Sequence, residues 1–126
     1  MSQHTRIILD TGTFWRSAVW DWLVARDEDL ILPAVAFIER ARQLNFAGRS
    51  VRDFQIYLHM YGVQIEALGA VEGLRLACSV EDDKLWKRSA RDAFIGGHIK
   101  AGDELWTTNP KDFIELGVPE RQIVAV

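Results

Sequence analysis

Short runs of aliphatic and β-branched residues recur along this chain with stretches of helical periodicity between them, and that alternation leaves few architectures open. Ile7-Ile8-Leu9, Leu30-Ile31-Leu32, Val63-Gln64-Ile65-Glu66, Leu105-Trp106-Thr107-Thr108 and Ile123-Val124-Ala125-Val126 each read as a short strand. From Phe14 to about Ala25 the residues Phe14, Trp15, Ala18, Val19, Trp22 and Leu23 fall at helical spacing. Pro33 suits the start of a helix running to about Asn45, and Ser50 opens another that Gly62 breaks after about Tyr61. A short helix follows from Val71 to Cys78. Ser79-Val80-Glu81-Asp82 then opens a long one to about Lys100, closed by Ala101-Gly102, and Pro110 to about Leu116 forms a last single turn. Parallel strands need crossovers, and each crossover helix must cover a sheet face. The expected fold is therefore α/β: a three-layer α/β/α sandwich with a mostly parallel, short-stranded sheet. With 126 residues, no repeat and no Pro-, Gly- or Ser-rich linker, residues 1–126 read as a single domain.

Such a chain buries enough surface to need no disulfide and no structural metal. Its one cysteine, Cys78, has no partner, fits a reducing compartment, and is expected to be a buried small hydrophobe. His4, His59 and His98 show no metal-ligand spacing. The first apolar stretch is too brief for a signal sequence and no run approaches a membrane span, so a soluble, cytoplasmic protein without membrane contact is expected. The net charge of -3 speaks against a nucleic-acid binder that relies on a basic surface. It does not exclude an enzyme that binds divalent cations, because those reverse the local sign.

In open parallel sheets, ligands collect outside the carboxyl ends of the strands, where strand order reverses. Asp10 ends the first strand, and the loop after Thr108 brings Asn109 and Asp112 to the same edge if those strands are neighbours. Glu39 lies beside Ile38 and Ala41 on or next to the buried face of its helix. Asp92 sits at the border between a packed side (Leu85, Trp86, Ser89, Ala93, Phe94) and a wet side (Lys84, Lys87, Arg88, Arg91). Like charges gathered at one place raise each other's pKa and bury poorly, so such a cluster calls for a cation. All-oxygen donors suit Mg²⁺ or Mn²⁺.

The segments Ile7-Ile8-Leu9-Asp10-Thr11, Leu32-Pro33-Ala34-Val35 to Glu39, Arg91-Asp92-Ala93-Phe94-Ile95-Gly96-Gly97 and Leu105-Trp106-Thr107-Thr108-Asn109-Pro110-Lys111-Asp112-Phe113 resemble successive motifs of the PIN-domain family, in order and over nearly the whole chain. The resemblance implies a metal-dependent endoribonuclease, in particular the toxin of a toxin–antitoxin pair. It further implies RNA as substrate, a small antitoxin protein as partner, a homodimer, and Asp10, Glu39 and Asp92 as metal-binding acids. By the same resemblance the fourth position falls to Asn109 or to Asp112 three residues later, with Asp112 expected to supply the charge and Asn109 to be a neutral ligand or a hydrogen bond to phosphate. Gly12 replaces the polar residue usual two positions after the first Asp, which leaves the hydroxyls of Thr11 and Thr13 at the site. Arg16, Arg40, Arg42, Arg88 and Arg91 are candidates to steer phosphates.

Plainer readings stand beside these. Asp10 can be a helix cap, Glu39 can pair with Arg42, Asp92 with Arg88, and Asp112 can solvate a turn. Trp22, Trp86 and Trp106 fit apolar faces, while Trp20 is open between burial and an exposed contact with a partner. Asp10-Thr11-Gly12 also matches the aspartic-protease signature, but those enzymes are all-β and the helical periodicity here contradicts that. The alternative to a nuclease is a PIN-like scaffold without activity that binds RNA or a protein.

Overall fold

The computed structural model describes residues 5–15, 20, 21, 23 and 28–126. Each apolar run becomes a strand: β1 (Arg6–Leu9), β2 (Asp29–Pro33), β3 (Val63–Glu66), β4 (Glu104–Thr107) and β5 (Ile123–Ala125). They form one five-stranded sheet in the order β3-β2-β1-β4-β5. The expected sheet was mostly parallel; every pairing among these strands is parallel. Ile8 sits beside Ile31 on one side and Leu105 on the other. Ile7, Ile8 and Leu9 are fully buried, so the central strand is covered on both faces, as a parallel sheet between helical layers requires. The architecture is the three-layer α/β/α sandwich.

The helices are α1 (Ala34–Phe46), α2 (Val51–Met60), α3 (Ala70–Ser79), α4 (Asp83–Gly96) and α5 (Pro110–Glu115), with 3₁₀ turns at Thr11–Trp15 and Glu120–Gln122. Pro33 ends β2 and caps α1, since its missing N–H is one that no helix start would use. The Ser50 hydroxyl accepts the Asp53 N–H at 3.1 Å to start α2, and Gly62 closes that helix at φ 69°. Stacked Phe37 and Phe54 rings, 5.7 Å apart, join α1 to α2. On its other side α1 packs against α4, the contact on which the site depends.

Several expectations need correction. Ser79 ends α3, and within the expected start Ser79–Asp82 it is the Asp82 carboxylate that caps the long helix, accepting the N–H groups of Lys84 and Leu85. It stops at Gly96 rather than Lys100, because Gly96 and Gly97 favour a tight turn that continues through His98 and Ile99. Inside it, Ser89 has non-helical angles (φ -126°, ψ 20°). Thr108 falls just outside β4.

Cys78 is exposed, not buried, because none of α3 is buried and its Val71–Leu74–Cys78 stripe faces outward. Ile38 is 62% exposed, so Glu39 lies at the rim of the packed face of α1, which centres on Ala36. Trp20 is buried against Tyr57 and Tyr61. Most of the helix expected from Phe14 to Ala25, including Arg16 and Trp22, lies outside the described residues, although Trp20, Asp21 and Leu23 are helical. Among the described residues, no helix is long and apolar enough to cross a membrane.

Candidate active site

From β1 the chain moves outward to β2 and β3, then crosses back to place β4 on the other side of β1. The order reverses there, and a crevice opens between the carboxyl ends of β1 and β4. Asp10 stands at that point. Its N–H donates to the Trp106 carbonyl at 3.1 Å, which extends the β1–β4 pairing by one residue, and its side chain is almost wholly buried. Oδ1 accepts the Thr11 N–H at 2.8 Å and Oδ2 accepts the Thr107 hydroxyl at 2.8 Å, so the carboxylate is fixed by both strands. The Thr13 hydroxyl donates to the Asp10 carbonyl at 2.7 Å and holds the turn that follows.

Around Asp10 the structure gathers Glu39 from α1 and Asp92 from α4, and it does so through Arg91. The Arg91 Nη2 donates to Asp10 Oδ1 at 3.0 Å and to the Thr11 hydroxyl at 2.7 Å. Its Nη1 donates to Asp92 Oδ1, and its Nε to Glu39 Oε2. Helical counting had put Arg91 on the wet face, as a hand for phosphate. Ser89, two residues earlier, has non-helical angles, a break in the regular helical phase on which that counting relies. Burial alone would lower the Arg91 pKa, but Asp10, Glu39 and Asp92 outweigh it and raise the pKa above its ordinary value. Burial pushes the Asp92 carboxyl upward; Asp10 and Asp112 add to that push, and Arg91 opposes it.

Asp112 is therefore close enough to be felt electrostatically, from the exposed first turn of α5. Asn109 caps that helix; its N–H donates to the Thr107 hydroxyl at 3.0 Å, and its side chain is exposed. The plain pairings do not account for these acids. Glu39 turns to Arg91 while Arg42 lies over the Phe46 ring, and Arg88 pairs with Glu115 at 2.7 Å. Of the residues expected to meet RNA, Thr11 and Asn109 lie at the sheet edge beside Asp10, Arg91 lies within the acid cluster, and Arg16 lies outside the described residues.

The donor set is all carboxylate and hydroxyl oxygen, the chemistry that suits a hard divalent cation. Its arrangement is a different matter: among the described residues no group of three acids is disposed to hold an ion, because the carboxylates are spaced around a forked guanidinium instead. Asp10, Glu39 and Asp92 are three of the four acids singled out in the sequence; the place of Arg91 among them was not foreseen. The signal available was its position next to Asp92, in a cluster that needs positive charge.

The chain matches no family model and no curated protein.

Proposed function

We propose that this chain is a metal-dependent endoribonuclease of the PIN-domain kind that hydrolyses RNA phosphodiester bonds as the toxin of a toxin–antitoxin pair. Its site is formed by Asp10, Glu39, Asp92 and Asp112, with Mg²⁺ or Mn²⁺ as cofactor. One observation carries this reading: carboxylates from β1, α1 and α4, far apart in sequence, meet around a single positive group at the crevice between β1 and β4. Burying like charges together is costly, and a fold with no use for them would place apolar residues there.

When bound, a divalent ion supplies polarisation of a phosphoryl oxygen and acidification of a water. The chain's own residues do the rest. Thr107 and the Thr11 N–H keep Asp10 from rotating away, and the packing of α1 on α4 keeps Glu39 opposite Asp92. In this reading the exposed Asn109 amide would hydrogen-bond phosphate oxygens at the end of β4, with the Thr11 hydroxyl, buried and accepting from Arg91, behind it. Outward-facing Val71 and Leu74 on α3, with Phe46 and Met60, are the kind of apolar surface that an antitoxin or a second copy covers.

The test is Asp10→Asn combined with Asp92→Asn. RNA cleavage in Mn²⁺ is expected to be lost while the circular dichroism spectrum and cooperative unfolding persist; cleavage at the wild-type rate excludes this site. A second reading, an inactive scaffold that binds RNA or a protein, is favoured by the guanidinium standing among the acids. Under that reading, the wild-type protein takes up no divalent ion and cuts no RNA.

A further inference from the structure

We infer that a groove between α1, α2 and the helical residues Trp20 and Asp21 binds a nucleotide of a single RNA strand, with the base stacked on Tyr57 or Tyr61 and the backbone phosphate held by Arg40 and Arg49. For the identity of the strand the inference rests on the nuclease reading; for the groove it rests on geometry apart from the acids around Arg91. The groove encloses about 610 Å³, inside the usual range of about 300–1,000 Å³ for small-ligand sites, which is room for a base, a sugar and a phosphate. Its floor is apolar, since Trp20 and Phe54 are almost wholly buried there. Tyr57 and Tyr61 stand against that floor, their ring centroids 4.5 Å apart and 5.7 and 5.9 Å from that of Trp20. Each nevertheless stays 38% exposed. Rings held by their neighbours and still open to water form a stacking platform, because every base offers a π-face.

The turn between α1 and α2 supplies the other half. Gly48, at φ 71°, lets the chain reverse, and the Arg49 N–H donates to the Leu44 carbonyl at 2.8 Å, which returns Arg49 to the groove that Arg40 lines. Two guanidiniums sharing one groove repel: burial first, and then the Arg49 charge, lower the Arg40 pKa. Arg49 is exposed, and among the described residues no carboxylate pairs with it. A phosphate relieves the repulsion, and the guanidinium fork matches its oxygens. Asp21 and Asp53 line the groove as well, so it is formally neutral and holds its ligand by local fit, in keeping with a chain of net charge -3. Asp21 lies near Tyr57, whose pKa is raised by burial, by Tyr61 and by Asp21. An acid at the tyrosine end turns phosphate toward the arginines and gives the nucleotide a direction. Arg40 directly follows Glu39 on α1, so the groove begins one residue along the chain from the acid cluster.

The wild-type protein is added to fluorescein-labelled oligo(A) in EDTA, where no divalent ion supports cleavage, and anisotropy gives Kd over a series of salt concentrations. A shallow salt dependence is expected, because only two guanidiniums are engaged. Arg49→Gln, at an exposed position, is expected to weaken binding and to reduce the slope of log K against log salt by about one. Tyr61→Leu should weaken binding about fivefold or more with the slope unchanged, while Tyr61→Phe, which keeps the ring, should bind like wild type. Arg75→Gln removes the same charge from the exposed side of α3 and should change neither quantity. Wild-type affinity in both Arg49→Gln and Tyr61→Leu overturns the groove, and so does equal weakening by Arg75→Gln and Arg49→Gln, which would mean diffuse attraction. No binding of oligo(A) by wild type overturns it too, and leaves the groove to a protein partner. Cleavage in Mn²⁺ is scored apart: groove effects without cleavage keep this inference and remove the nuclease reading, and cleavage without groove effects does the reverse.

Discussion

Gly12 occupies the turn after Asp10 where the PIN-domain pattern leads one to expect a polar side chain. The reason lies at the far end of the chain: a Cβ on Gly12 would meet the Thr108 hydroxyl at 2.4 Å and its methyl at 3.2 Å. Relief would require Thr108 to leave its present rotamer. Gly12→Ala is thus expected to destabilise the fold by about 1–3 kcal/mol, the usual range for overpacking. Adding Thr108→Ala should return most of it, as read from urea midpoints at constant m. Losses that simply add in the double variant would mean the two residues do not touch. At this scale the sequence showed the acids and concealed their neighbours. Asp10 at a strand end, Glu39 near a packed face and Asp92 at a helix border were legible because each depends on local pattern. Arg91 and Gly12 were not, because each depends on a residue that only the folded chain brings near.

Elements were legible wherever periodicity was long, and their junctions were less so. The strands, α1 and the start of α4 fell within a residue or two of their expected bounds, while α4 was misread at its carboxyl end and in the middle. Ser79 and Asp82 both look like caps, and the helix uses Asp82; the Gly96-Gly97 pair outranks Ala101-Gly102 as a stop. Four elements are also tied by a second polar cluster that no motif announced. Glu66 at the end of β3 accepts from His98 Nδ1 at 2.9 Å and from Arg6 of β1 at 3.2 Å, and Arg6 also faces the buried Asp103 before β4 at 3.6 Å. Burial would raise the Glu66 pKa, but the His98 hydrogen bond and the Arg6 charge hold it below its usual 4.5. A carboxylate with a depressed folded pKa stabilises the fold above its unfolded pKa, and that contribution fades as pH falls through the folded value. Glu66→Gln should accordingly be less stable than wild type near neutrality. The gap should close as pH drops below about 4.5, the ordinary carboxylate value. A gap independent of pH would show that Glu66 acts by packing alone.

Taken as a whole, the molecule makes its site out of topology. Because β1 and β4 are neighbours at the reversal of strand order, an acid at one strand end and a hydroxyl at the other share hydrogen bonds, and the layer containing α1 and α4 closes over them. Alternation of strands and helices was enough to foresee the layers, but not the Arg91 guanidinium standing among the acids. An ion that binds only the folded chain stabilises it by mass action. At about a hundred times its apparent Kd the gain is about 2.7 kcal/mol, enough for a rise of several degrees in Tm. The wild-type protein should show that rise with Mn²⁺, growing with the logarithm of concentration. The competing explanation is diffuse attraction, since the chain carries 18 acidic residues and a net charge of -3. Diffuse attraction is screened by salt and indifferent to which carboxylates remain, whereas a site between β1 and β4 is neither. Removing Asp10 and Asp92 as Asn should therefore abolish the Mn²⁺-induced rise at about 0.15 M salt, where exposed charges are largely screened. If the double variant gains as many degrees as wild type, the ion is held elsewhere on the acidic surface and the crevice has no claim to it.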